Sequence, residues 1–283
     1  MCRLFGFRSV ISSQVHQSLV HAENALMRQS DAHPDGWGVA YYVAGTPHVV
    51  KSARTAVSDQ LFRHVSGIVS SETVVAHLRR ATVGELSLIN SHPFQYGNWI
   101  FAHNGNIPDF DEHRQALLAK IPPVMRRFIL GNTDSEVLFY LLLGHMARRS
   151  DLHRKGYLFE DVAGAIEETI EDIVSLVDLN CYDDENKLFL SFLITNGETL
   201  VAHNGGKPML YSTYKKRCSE RDTCPNFSPE CEAPPATGFA THMIISSEQL
   251  QGQNVWHDLK PGYVVGVDWR MQLKHFPLSS SKV

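Results

Sequence analysis

Apolar residues in this chain recur at two spacings, and each spacing predicts a different element. Cys2 to Arg8 alternates enough for a short strand that runs into a turn at Ser12-Ser13. From His16 to Ser30, Leu19, Val20, Ala22, Leu26 and Met27 fall near helical spacing and predict a helix. The loop His33-Pro34-Asp35-Gly36-Trp37-Gly38 is punctuated by proline and two glycines, and it opens into a core strand at Val39 to Val43. Thr73 to Leu78 and Trp99 to His103 also read as strands, separated by a turn-rich stretch from Gly84 to Gly97. A strongly apolar helix is expected over Val137 to Arg148, with Thr133 or Asp134 as its N-cap. A second long helix, with acidic residues on its polar face, spans Leu158 to Val177. Strands then fit Lys187 to Thr195, Thr199 to His203, Pro208 to Thr213, Gly238 to Ser246 and Tyr263 to Asp268. Between two of them, Lys215 to Thr237 is polar and bears proline and cysteine, which suggests a mobile surface excursion. Strands, two long helices and more strands predict an α+β layered fold, read as one domain over 1–283.

Composition narrows the function more than the fold. The chain has 283 residues, 20% of them charged and 43% hydrophobic, with a net charge of -4. That is ordinary composition for a protein with a large buried core. A mildly acidic balance without a Lys/Arg-rich stretch argues against nucleic acid or an anionic membrane surface as partner. The longest apolar runs, Val137 to Leu143 and Leu188 to Ile194, fall far short of the ~20 residues that span a bilayer. No apolar region follows a basic segment at the N-terminus, and five cysteines do not make a disulfide framework. A cytoplasmic location is therefore expected.

The residue with the most chemical content is Cys2. Once Met1 is trimmed, its thiol sits beside a free α-amine on the same residue. An α-amine titrates at roughly 7.7–8.0 and a thiol near 8.5, so the pair forms a self-contained nucleophile and base. Acyl transfer also needs oxyanion donors and a grip on the substrate. Ala102-His103-Asn104-Gly105-Asn106 offers an amide and a following glycine N–H, although Asn-Gly is equally common at a strand exit. Arg79 and Arg80 end the strand at His77, where one guanidinium could fork onto a carboxylate, and Asp134 stands at a helix start. Ala-His-Asn-Gly occurs twice, at 102–105 and 202–205. Cys218, Cys224 and Cys231 are spaced at six and seven residues and His16 and His21 at five, which fits no common metal pattern. No metal is expected.

In this order, Cys2, His77-x-Arg79-x-Ala81-Thr82, Asn90-x-His92-Pro93, His103-Asn104-Gly105 and Thr133-Asp134-Ser135-Glu136 resemble the glutaminase domain of class II glutamine amidotransferases. The Cys-Arg-Leu-Phe-Gly start and the His-Pro-Asp-Gly-Trp-Gly loop resemble the stand-alone YafJ-type branch. That branch is related to enzymes that hydrolyse γ-glutamyl groups in glutathione breakdown and ergothioneine synthesis. The resemblance implies a four-layer αββα sandwich of the N-terminal nucleophile hydrolase type, with no cofactor. It implies that Cys2 attacks a glutamine or γ-glutamyl amide, with Asn104 and the Gly105 N–H holding the oxyanion. Arg79 would bind the substrate α-carboxylate and Asp134 its α-ammonium, with Thr82 and His92 shaping the pocket. Arg80 and Val83 depart from the aromatic and histidine of many relatives. By chain order the oxyanion role goes to Asn104, and the copy at Asn204 has no assigned role. The chain ends soon after its last expected strand, so the expectation is either free hydrolysis or ammonia transfer to a synthase-type partner subunit. A non-catalytic interaction module is the remaining alternative.

Overall fold

Two antiparallel sheets lie face to face, each covered on its outer side by helices. The computed structural model describes residues 2–14, 26–80, 85, 87–177, 187–218, 221–222, 224, 227–235 and 237–279. In chain order the elements are β1 (Arg3–Gln14), α1 (Leu26–Gln29), β2 (Trp37–Val43), β3 (Thr46–Ser52), α2 (Gln60–Ile68), β4 (Ser70–Leu78), β5 (Phe94–Tyr96), β6 (Trp99–Asn106) and α3 (Phe110–Lys120). Then follow α4 (Pro123–Arg126), α5 (Asp134–Arg149), α6 (Phe159–Val174), β7 (Phe189–Thr195), β8 (Leu200–His203), β9 (Leu210–Ser212), β10 (His242–Ser246), β11 (His257–Asp258), β12 (Tyr263–Val267) and β13 (Leu273–Pro277). The first sheet runs β11-β9-β10-β1-β4-β2-β3 and the second β13-β12-β8-β7-β6-β5.

Three apolar clusters define the layers. Leu4, Ala40 and Val75 of the first sheet meet Ile100, Leu193, Ala202 and Val265 of the second in the space between the sheets. Phe5, Trp37 and Val74 on the other face of the first sheet pack with Phe62 and Val65 of α2. Phe101, Phe192 and Val201 on the far side of the second sheet pack under α5 and α6. This is the expected αββα sandwich.

Burial explains the patterns. Every residue of β7 is buried, because it is central in its sheet and covered on both faces. Helix α5 is buried all the way round from Asp134 to Met146, since α3, α6 and the sheet enclose it. Helix α6 buries Val162, Ala165, Ile166, Thr169, Ile170 and Ile173 at helical spacing and turns its acidic face outward.

The sequence expectations need several corrections. Ser12-Ser13 is not a turn: β1 continues through it, with a register shift between Arg8 and Ser13 before Ser13 pairs with Ser71. Most of the helix expected at 16–30 lies outside the described residues, and only α1 and the 3-10 turn Ser30–Ala32 are seen. Gly84 to Gly97 contains β5, and β3, α2, α3, α4, β11 and β13 were not expected at all. The 215–237 stretch carries no regular strand among its described residues. Lys215 forms a bridge to Asn254, and the Cys218 N–H donates to Glu232 Oε1 at 2.6 Å. No helix among the described residues is long and apolar enough to cross a membrane.

Candidate active site

Strand pairing brings the expected nucleophile, Cys2, to its neighbours. Arg3 pairs with Leu78, so Cys2 lies beside the residues that leave β4, Arg79 and Arg80. The Arg80 N–H donates to Cys2 Sγ at 3.2 Å, and the thiol faces the Arg80 carbonyl at 3.3 Å. From the opposite sheet, Asn104 Nδ2 on β6 donates to the Cys2 carbonyl at 3.1 Å. Cys2 is half-buried, while Arg79, Asn104 and Asp134 are buried.

The His-Pro-Asp-Gly-Trp-Gly loop has a structural duty here. The Arg79 N–H donates to Gly36 O at 2.8 Å, and the Asp35 N–H donates to Arg79 O at 3.3 Å. Both backbone faces of Arg79 are thus clamped, and its Nη1 donates to Glu85 O at 3.1 Å. Gly38 permits the loop's other contact: a Cβ there would lie 2.1 Å from His92 O, so only glycine lets β2 approach the His92-Pro93 wall.

Charges act on the thiol from two sides. Burial pushes the Cys2 thiol up; the Arg80 hydrogen bond and the Arg79 charge oppose this, and Asp134 adds to the rise. Burial also pulls the Arg79 guanidinium down, against the fields of Cys2, Asp35 and Asp134. A cation and an anion are therefore fixed within electrostatic reach of one sulfur.

Of the two cap candidates, Thr133 is the cap: its hydroxyl accepts from the Glu136 N–H at 3.2 Å. Asp134 is held instead by the Ile107 N–H at 3.0 Å on Oδ2 and the Ser135 N–H at 2.7 Å on Oδ1. Ser135 and His103 belong to quoted motifs, yet sequence reasoning gave neither a role. His103 Nε2 lies 3.1 Å from Phe189 O and Nδ1 lies 2.9 Å from Ser135 Oγ. Burial pulls His103 down, so the ring is neutral at neutral pH. A carbonyl only accepts, so Nε2 carries the proton and Nδ1 receives the Ser135 hydroxyl. Ser135 thus holds Asp134 with its backbone N–H and joins His103 with its hydroxyl, which links the carboxylate to the strand that carries Asn104.

His92 is buried against His77, with ring centroids 4.2 Å apart, and against Phe94 at 4.7 Å. Burial pulls His77 down to about 3 and His92 well below its usual value, so both rings are neutral. Thr82 lies outside the described residues. Among those residues, no group of three or more His, Cys, Asp or Glu side chains is arranged to hold a metal ion.

The repeated motif has a physical account. Phe192 of β7 pairs with His103 on one side and His203 on the other, so the two copies flank one strand at equal register. The first copy turns its amide to Cys2. In the second, Asn204 Nδ2 donates to Leu259 O at 2.5 Å, and Oδ1 accepts from the Gly206 N–H at 2.9 Å and the Ser191 hydroxyl at 3.4 Å. Asn204 is thus spent inside the fold. Gly105 admits no other residue: a Cβ there would lie 2.0 Å from Phe189 O and 2.1 Å from His103 Nε2.

Comparison with known proteins gives the family and the fold. Residues 1–271 match the family described as class-II glutamine amidotransferases. The chain is similar to the probable glutamine amidotransferase DUG3 of Saccharomyces cerevisiae, at 30% identity over 71% of this chain and 62% of that one. It is similar to the putative glutamine amidotransferase YafJ of Escherichia coli, at 24% identity over 96% and 97% of the two chains. A shorter match, 33% identical over 37% of this chain and 49% of the other, is to a γ-glutamyl-hercynylcysteine sulfoxide hydrolase of Mycobacterium tuberculosis. Against three of the curated relatives, DUG3 among them, the matched stretch spans 62, 63 and 50% of the relative's length. Among solved structures, a glutamine aminotransferase class-II domain protein from Silicibacter pomeroyi shares the fold. Its TM-score is 0.65 at 21% identity, covering 98% of this chain and 100% of that one.

Proposed function

We infer that this chain, which belongs to the class II glutamine amidotransferases, hydrolyses the amide of glutamine or a related γ-glutamyl compound through a Cys2 thioester. The products are glutamate and ammonia, or glutamate and an amine. The observation that carries the reading is the Asn104 amide, 3.1 Å from the Cys2 carbonyl, beside a thiol that feels both Arg79 and Asp134.

The Cys2 thiol gives its proton to its own α-amine, freed by removal of Met1, and the thiolate attacks the γ-carbonyl carbon. The oxyanion that forms is held by Asn104 Nδ2 and the Gly105 N–H. The amine returns the proton to the leaving nitrogen, the C–N bond breaks, and the thioester remains. Water then attacks the thioester carbonyl, with the same amine taking its proton, and glutamate leaves. Arg79 forks onto the substrate α-carboxylate and Asp134 accepts from its α-ammonium. His92 and Thr82 belong to the pocket wall in this reading. Ser135 and His103 position Asp134 and Gly105, without touching substrate.

A mass-spectrometric trap tests the reading directly. Incubation with glutamine and an acid quench should leave a glutamyl adduct on the peptide that begins at Cys2, alongside released glutamate. Absence of both with glutamine, glutathione and simple γ-glutamyl amides would remove the proposal. A second reading, hydrolysis of a γ-glutamyl thiol-metabolism compound, is favoured by the relative named as a γ-glutamyl-hercynylcysteine sulfoxide hydrolase. It predicts that an amine leaving group outperforms ammonia. Transfer of ammonia to a synthase-type partner predicts the reverse, with poor turnover by the chain alone.

A further inference from the structure

A cavity of about 770 Å³ opens at the protein surface. Neither Cys2, Arg79, Asn104 nor Asp134 lines it. It opens where the two sheets end side by side, at their edge strands β3 and β5. We propose that this groove is a separate binding site for a small-molecule carboxylate with an aromatic or branched apolar body.

The size falls within the roughly 300–1,000 Å³ of ordinary ligand sites. One wall is aromatic: Tyr96 packs edge-on against Phe128 at 5.5 Å and against Tyr140 at 5.8 Å. The rim leaves apolar surface in water, with Leu88, Ile89 and Leu130 exposed at 53, 49 and 73%. Water is a poor occupant for such a surface, and an apolar body that covers it is favoured.

Charge selects the head group. Lys51 lines the cavity, with Nζ 5.4 Å from the Phe94 ring centroid. Its ammonium donates to Ser91 O at 2.8 Å, which uses one of three protons. The facing Glu136 carboxylate already accepts from the Leu130 N–H at 3.0 Å and the Gly131 N–H at 2.7 Å. Burial pushes the Glu136 carboxyl up, and those two N–H groups, Lys51 and Arg114 of α3 oppose the rise. Lys51 is the one cation among the lining residues, and with the Glu136 oxygens engaged by two backbone N–H groups, two ammonium protons remain for a ligand. Burial lowers Lys51 to about 8, which still leaves it protonated at neutral pH. A single ammonium in apolar surroundings suits a monoanion better than a multiply charged phosphate.

The test uses the full chain, 3-phenylpropionate as probe and 3-phenylpropan-1-ol as its uncharged counterpart, followed by titration calorimetry and ligand-observed NMR. Saturable binding of the acid is expected, with the alcohol about tenfold weaker and Lys51→Gln losing a similar factor for the acid, the effect of one charge-assisted hydrogen bond. Leu130→Asp, at a position exposed enough to leave the fold intact, should also weaken the acid. Saturating glutamate should not compete. Absence of binding, equal binding of acid and alcohol, or competition by glutamate would each overturn the proposal. So would a self-association that Leu130→Asp abolishes, because the groove would then be an interface between copies.

Discussion

Asn104→Ala and Asn204→Ala make a matched pair, because the two residues stand at equal register on either side of β7. The Asn104 side chain makes one described hydrogen bond, from Nδ2 to the Cys2 carbonyl. Losing that bond should cost about 0.5–1.5 kcal/mol of stability, whereas losing one oxyanion donor should lower kcat by about 10²–10³ with little change in KM. Asn204 is 3% exposed, and its side chain joins Leu259 O, the Gly206 N–H and the Ser191 hydroxyl. Three bonds at about 1 kcal/mol each put the loss near 3 kcal/mol, and a chain of this size then melts roughly 6–12 °C lower. Its kcat, measured well below that melting point, should stay within about twofold of wild type, since the change does not touch the reacting atoms. Calorimetry and a coupled glutamate assay on both variants separate the two effects. An Asn204→Ala variant that is thermally unchanged but catalytically dead, or an Asn104→Ala variant with full kcat, would show that the two copies have been assigned the wrong way round.

Cys2→Ala should abolish turnover while keeping the fold, and Cys2→Ser should leave little, because an alcohol is a far weaker nucleophile at neutral pH. Near wild-type rates in the alanine variant would end the mechanism. Intact-mass analysis of active protein should show a chain without Met1, and full activity from a homogeneous Met1-bearing protein would rule out the α-amine as base. Arg79→Lys and Asp134→Asn should chiefly raise KM, Arg79→Lys because a point charge cannot reproduce a two-pronged grip; simple amides should hardly react, and EDTA should not lower activity. His203 is buried, and its pKa is lowered to about 4 by that burial, below the unfolded value of 6.5. Its folded-state pKa is depressed, so its stabilising neutral form is kept above pH 6.5 and stability falls as pH drops towards 4, by about 2 kcal/mol at pH 5. His203→Gln, which cannot titrate, should make urea midpoints measurably less steep in pH over that window; an unchanged slope would contradict a neutral buried His203.

The elements that were legible in sequence share one property: their burial is one-sided or complete along their whole length. Helix α6 shows its core face every three or four residues and β7 is apolar throughout, so periodicity alone finds both. Strands β3, β5 and β11 are edges or short pairings in which exposed and buried positions do not alternate cleanly, and α3 buries only Phe110 and Leu117. No local signal could have found these, since pairing with a distant strand is what makes them regular. The site divides in the same way. Cys2, Arg79, Asn104 and Asp134 were visible because each stands inside an ordered motif, but their meeting depends on contacts 27 to 102 residues apart. Ser135 and His103 are visible in the sequence but carry no role there. The reason is that a hydroxyl after a helix cap and a histidine on a strand acquire chemistry only when α5 docks on β6. That docking also distinguishes the two Ala-His-Asn-Gly copies, which are identical as sequence. One faces Cys2 across the sandwich and the other faces the Leu259 carbonyl, so the catalytic role proposed for the first and the scaffold role of the second differ in what packs against the strand end and not in the residues themselves.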